Sequence, residues 1–142
     1  MACIHRQTDT ALTVLCIEED LATVQLIEDT IGGRPDVELL VAIDGCKGVK
    51  LARSHRPDLV LADLELPDMG GEEVLARLRV DPVTRPVSVV MLSADASPAI
   101  VARLLARGAQ TCLAKPIGAG ELTRVLDHGL GGRAYGGLRR AA

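Results

Sequence analysis

Aromatic rings are almost missing from this 142-residue chain, which has no Phe, no Trp and a single Tyr, Tyr135. Base-stacking platforms for single-stranded nucleic acid and aromatic cages for cationic ligands both need rings, so neither can be built here. A positive charge excess is missing too. Against 16 Lys and Arg stand 19 Asp and Glu, a net charge of −3, which leaves no surplus to neutralise nucleic-acid phosphates. No apolar run approaches the roughly 20 residues of a membrane span. The stretch before Thr13, which mixes His5, Arg6, Gln7 and Asp9, is too short in apolar residues for a signal peptide, so a cytoplasmic chain is expected. Cysteines are present but unpatterned. Cys3, Cys16, Cys46 and Cys112 form no Cys-x-x-Cys pair and have no histidine at zinc-ligand spacing. Cys16 and Cys112 are expected to be small buried hydrophobes of a reducing compartment.

What the chain does have is an ordinary domain composition, 48% hydrophobic and 25% charged, arranged as an alternation of two patterns. Short, mostly β-branched or Leu runs at Leu12 to Ile17, Val37 to Ile43, Leu59 to Ala62, Val87 to Leu92 and Thr111 to Ala114 read as strands. Between and after them, apolar residues recur at helical spacing: Val24, Ile27, Ile31; Val49, Leu51, Ala52; Val74, Leu75, Leu78; Ile100, Val101, Leu104, Leu105; Leu122, Val125, Leu126. Gly32, Gly33 and Pro35 close the first helix, Pro57 and Asp58 precede the third strand, and Gly108 ends the fourth helix. Five β-α units with apolar strands imply a doubly wound α/β domain, its parallel sheet covered by helices on both faces. The expected domain runs from 13 to 128, after a leader of 1–12. The segment 129–142 has five glycines and no core pattern, which reads as a flexible tail.

In such a sheet, ligands bind beyond the carboxyl ends of the strands. The residues that end the strands are therefore the candidates: Glu18, Glu19 and Asp20 after the first, Asp63 after the third, Ser93 after the fourth, Lys115 and Pro116 after the fifth. Asp20 reads as the cap of the helix that follows. Glu18 and Glu19 crowding Asp63 would repel unless a cation sat among them, and an all-oxygen set suits Mg²⁺. Asp63 follows the apolar run Leu59 to Ala62, an expensive place for an unpaired charge. A carboxylate beside Mg²⁺ can attack a phosphoryl donor and form an acyl phosphate. Lys115 can neutralise a phosphoryl oxygen, and the Ser93 hydroxyl can donate to another.

Taken in order, VLCIEED (Val14 to Asp20), RPDLVLADLELPDMGGEEVLARLR (Arg56 to Arg79), VVMLSADAS (Val89 to Ser97) and LAKPI (Leu113 to Ile117) resemble the receiver domain of two-component response regulators. That resemblance implies a flavodoxin-like strand order 2-1-3-4-5. It implies Asp63 as phosphoacceptor, Glu18 and Glu19 as the acid pair for Mg²⁺ with the main-chain carbonyl of Glu65 as third protein ligand, Ser93 as switch hydroxyl and Lys115 as the motif lysine, with Pro116 after a cis bond. It also implies a phosphohistidine donor on a sensor histidine kinase or histidine phosphotransfer protein, and no enzymatic activity beyond self-phosphorylation and autodephosphorylation. With only a short segment after 128, output is expected in trans.

Against the family pattern, Glu19 stands where Asp is usual, Gly70 stands where many members have Asp, and Cys112 stands where Tyr or Phe is common. A register with Glu19 and Asp20 as the pair is the second choice, because it spoils the placing of Val24, Ile27 and Ile31 on the first helix. Glu65 and Asp95, two residues after Asp63 and Ser93, are expected to tune the lifetime of an acyl phosphate. A thiol cannot fill the space of the usual ring, so Cys112 implies output through backbone shifts around Ser93 and Ala94, or weak output, or none. The alternative function is an unphosphorylated interaction module on the same fold. A Mg²⁺-dependent phosphohydrolase is remote, since it would need a second Asp where Glu65 stands, and a flavin domain would need a phosphate cradle and a stacking ring.

Overall fold

A computed structural model describes residues 12–129. The leader up to residue 11 and the tail from 130, with Cys3 and Tyr135, lie outside the described residues. Five strands, β1 (Leu12–Ile17), β2 (Val37–Ala42), β3 (Leu59–Asp63), β4 (Ser88–Ser93) and β5 (Thr111–Ala114), form one parallel sheet in the order β2-β1-β3-β4-β5. The helices are α1 (Leu21–Ile31), α2 (Gly45–His55), α3 (Gly71–Val80), α4 (Pro98–Ala106) and α5 (119–129). The doubly wound architecture and the strand order are those expected. Leu12 already pairs with Val37, and residue 129 is still helical.

Alternation along the strands sorts the core into two layers. Val14 and Cys16, Leu59 and Leu61, Val90 and Leu92, and Leu113 pack with Val24 and Ile27 of α1 and Leu122 and Leu126 of α5. Leu15 and Ile17, Val60 and Ala62, and Val89 and Met91 pack with Ala52, Val74, Leu75, Leu78 and Leu104 on the other side. Aliphatic side chains thus fill both layers, as the missing rings require.

Three expectations are corrected. β2 is an edge strand and is not apolar on both faces; Glu38 and Val41 are exposed. Cys16, on a central strand, is buried, but Cys112 is only half-buried, because β5 is a four-residue edge strand. On α4 the apolar residues Ile100, Val101, Leu104 and Leu105 do not form one buried face; only Leu104 is buried and Leu105 is 45% exposed.

Local chemistry explains how the helices start. Asp20 caps α1, accepting from the Ala22 N–H at 3.3 Å and the Thr23 hydroxyl at 2.8 Å, as expected of its position. At α2, Asp44 accepts from the Lys47 N–H, while Asp68 reaches across from the loop after β3 to accept from the Gly45 and Cys46 N–H groups at 2.7 and 2.8 Å.

Candidate functional site

The sheet reverses its strand order between β1 and β3, and the ends of these two strands carry Glu18 and Asp63. Strand alternation continues past the apolar residues: Val14, Cys16, Glu18 on one strand; Leu59, Leu61, Asp63 on the next; Leu113, Lys115 on the last. A periodicity of two therefore delivers both carboxylates and the ammonium to the α1–α5 side of the sheet. Ser93 follows Val89 and Met91, so it shares its side with Cys112, which packs against the opposite layer.

Lys115 is the hub. Its Nζ lies 2.7 Å from Glu18 Oε1 and 3.3 Å from Asp63 Oδ2. The Lys115–Pro116 peptide bond is cis. The Lys115 N–H donates to the Ser93 carbonyl at 2.8 Å, which fixes the lysine backbone to β4. Glu18 and Asp63 are buried. Glu18 Oε2 accepts from the Asp20 N–H at 3.1 Å, and Asp63 Oδ1 accepts from the Glu65 N–H at 3.1 Å. The Lys115 ammonium is the partner of Glu18 Oε1, at 2.7 Å, and no other hydrogen-bond partner of that atom is found among the described residues.

Burial pushes the Glu18 carboxyl up to about 6; Lys115 opposes this, and the neighbouring Asp63 adds to it. On Lys115 desolvation acts downward, yet Glu18 and then Asp63 outweigh it and the net direction is up. One ammonium thus faces two carboxylates. Two like charges held on one ammonium repel each other, which is the direction in which Asp63 acts on Glu18. A second cation would relieve that repulsion, and the side-chain donors brought together here, the carboxylates of Glu18 and Asp63, are all oxygen. With Glu18 Oε1 facing only the Lys115 ammonium among the described residues, the residues fit Mg²⁺, which needs few protein ligands and keeps several waters. Glu19 is exposed, and among the described residues no three His, Cys, Asp or Glu side chains gather as metal ligands.

The switch side is occupied by its own loop. Ser93 Oγ donates to the Asp95 carbonyl at 2.8 Å and accepts from the Asp95 N–H at 3.1 Å, while Asp95 Oδ1 accepts from the Ser97 N–H at 3.0 Å. Burial, and after it the charge of Asp95, pushes the Cys112 thiol up. A reactive thiolate is therefore not favoured, despite Lys115 three residues away. Burial likewise pushes Cys16, beneath the cluster, up to about 12.

Three supporting residues carry no sequence signal of their role. Gly71 brings the start of α3 so close to β3 that a Cβ there would stand 2.3 Å from the Asp63 carbonyl oxygen; its N–H donates to the Leu64 carbonyl at 2.8 Å. Asp68 ties the same loop to α2. Arg79, in the last turn of α3, donates to the carbonyls of Gly108, Arg85 and Val87 at 2.7 to 3.2 Å. Gly108 itself has φ +105, which favours glycine.

Fold and cluster together define a class: a doubly wound α/β domain presenting two acids and a lysine at its switch point. A model of the response regulator receiver domain matches residues 14–127. The polar-differentiation response regulator DivK of Brucella anthropi is 29% identical over 119 residues, which are 84% of this chain and 96% of that protein. The sensor histidine kinase AruS of Pseudomonas aeruginosa is 34% identical over 118 residues, 82% of this chain but 12% of that kinase. A solved receiver domain of a sensor histidine kinase from Pseudomonas aeruginosa PAO1, with a magnesium ion coordinated in its active-site cleft, superposes with a TM-score of 0.76 at 26% identity, covering 85% of this chain and 98% of its own. The chain belongs to the response regulator receiver domain family of two-component signalling. Among the described residues no helix is long and apolar enough to cross a membrane.

Proposed function

We propose that the domain, residues 13–128, is a phosphoacceptor switch in which Asp63 takes a phosphoryl group from a phosphohistidine. The observation that carries this reading is the meeting of Lys115 with both Glu18 and Asp63 at the switch point of the sheet. A carboxylate oxygen of Asp63 is the nucleophile, forming the P–O bond as the P–N bond of the donor breaks. Glu18, Asp63 and the Glu65 carbonyl would hold Mg²⁺, with Glu19 joining after a rotamer change. When bound, that ion supplies charge neutralisation between the incoming phosphoryl oxygens and the acids. Lys115 stays within reach of Asp63 and takes up a phosphoryl oxygen as Asp63 is modified. Ser93 releases the Asp95 carbonyl and donates to another phosphoryl oxygen. That release moves the 93–97 loop, and with it α4, which is how the state of Asp63 reaches the surface in the absence of a ring at Cys112. The charges of Glu65 and Asp95 flank this oxygen and tune how long the acyl phosphate survives.

The donor is a sensor histidine kinase or a histidine phosphotransfer protein, a reading that the likeness to the sensor histidine kinase AruS and the response regulator DivK supports; donor and acceptor would meet in the cytoplasm, and the target is another protein. A second reading, an interaction module that is never phosphorylated, is favoured by the exposure of Glu19. Intact-mass measurement after incubation with acetyl phosphate separates the two. The switch reading expects a gain of one phosphoryl group that needs Mg²⁺, disappears with EDTA and is absent in Asp63→Asn. No gain under any Mg²⁺ concentration would leave the interaction module.

A further inference from the structure

Helix α4 is weakly held by its own apolar side chains. Of its nine residues only Leu104 is buried, whereas α3 buries Gly71, Val74, Leu75 and Leu78. Burial of a stripe is the usual anchor of a surface helix; α4 has Leu104 with Ile100 packed partly against the same layer, so polar contacts carry a larger share of its hold. Its far end is fixed at Gly108 by Arg79. Among the described residues, Arg103 of α4 and Arg107 just after it both pair with Glu72 of α3. Glu72 Oε1 accepts from Arg103 Nη2 at 2.9 Å, and Oε2 lies 3.2 Å from Arg107 Nε.

The position of Glu72 gives those contacts a consequence. It follows Gly71, whose backbone is pressed against the Asp63 carbonyl, so it is rooted on the phosphoacceptor loop. α4 begins directly after the loop in which Asp95 occupies the Ser93 hydroxyl. The ion pairs thus join the element behind Asp63 to the element behind Ser93.

We infer that Glu72 is a positioning residue: its carboxylate, shared between Arg103 and Arg107, holds α4 in the arrangement that keeps the Ser93 hydroxyl bonded to Asp95. Neutralising it lowers the cost of freeing that hydroxyl. The meaning of a freed hydroxyl rests on the phosphoacceptor reading; the clamp itself does not. Arg103 and Arg107 are 46% and 56% exposed, and exposed pairs are individually weak and screened by salt. Two of them acting on a helix with one buried residue are enough for a shift of about fivefold in local opening.

Amide hydrogen exchange followed by NMR on the full chain, without Mg²⁺ or phosphodonor, tests this. In Glu72→Gln the hydrogen-bonded amides of 101–106 and that of Asp95 are expected to exchange about fivefold faster, with the amides of β3 and β4 unchanged. In the wild type, raising salt from about 0.02 M to about 0.5 M should give the same acceleration, and in the variant it should give almost none. The double substitution Arg103→Gln, Arg107→Gln should match Glu72→Gln and add nothing to it. Unchanged exchange in α4 and Asp95, equal acceleration in β3 and β4, or additive effects of the two sides would each overturn the clamp. Because no phosphodonor is present, a failure here leaves the mass gain expected at Asp63 intact, and a missing mass gain leaves the clamp intact.

Discussion

At the scale of single residues, the candidate site is an imbalance of charge held in place by backbone. Lys115 neutralises one of two buried carboxylates, and the remaining negative charge is what a divalent cation would meet. The thiol of Cys112 is a different case. Half-buried on an edge strand and facing the charge of Asp95, it is held above the ordinary thiol range, first by burial and then by that carboxylate. A raised pKa means less thiolate at neutral pH, so Cys112 should alkylate slowly. Peptide mapping after brief iodoacetamide treatment of the folded chain at pH 7 should find the exposed Cys46 modified well ahead of Cys112, and denaturation should abolish the difference. Equal rates in the folded chain would show that Cys112 is reactive. Asp63, Lys115 and Glu18 were all legible in the sequence, because each extends the alternation of an apolar strand by one step and so falls on a known side of the sheet rim. The half-burial of Cys112 was not, because a run such as TCLA reads the same on a central strand as on an edge.

At the scale of elements, helices are attached to the sheet in two ways. α1, α3 and α5 bury apolar stripes, whereas α4 depends on the polar grips of Glu72 and Arg79. Neither grip was legible. A charged residue in the first or last turn of a helix reads as a solvated one, and its partner is chosen only when the helices pack side by side. The loop after α3 is held in the same manner. The Asp81 carboxylate accepts from the Val83 N–H at 2.9 Å and from Arg53 Nε at 2.8 Å, and those contacts, the Val83 N–H first, hold its carboxyl below the usual range. A carboxyl lowered in the folded state stabilises the fold above its unfolded pKa of about 3.9 and loses that contribution as pH falls through the lower folded value. Asp81→Asn keeps an acceptor for Val83 but has no charge to titrate. Urea unfolding should therefore show the variant less stable than the wild type at pH 7, with the gap closing as pH is taken below about 4. A gap that stays constant with pH would assign the stabilisation to shape alone.

At the scale of the whole molecule, a chain without Phe or Trp builds its two layers from aliphatic side chains on each side of one parallel sheet. The fold was legible almost throughout, since five apolar runs separated by helix-period segments leave few topologies. The strand order came from the family resemblance and agrees with the pairing found. The alternation places Glu18, Asp63 and Lys115 on the side of α1 and α5 and Ser93 and Cys112 on the side of α2, α3 and α4. Without a ring at Cys112 to carry motion across β5, the path proposed from Asp63 to the surface runs through the Ser93 loop into α4, in which only Leu104 is buried. The central claim beneath this division is that Asp63 carries the phosphoryl group. Treating the chain with acetyl phosphate and Mg²⁺, reducing the product with borohydride and mapping the peptides locates the acyl phosphate directly, since reduction converts a phosphorylated aspartate to homoserine. The expected result is homoserine at position 63 alone, dependent on Mg²⁺ and lost in Lys115→Met. Unmodified Asp63, or homoserine at any other acid, would contradict it.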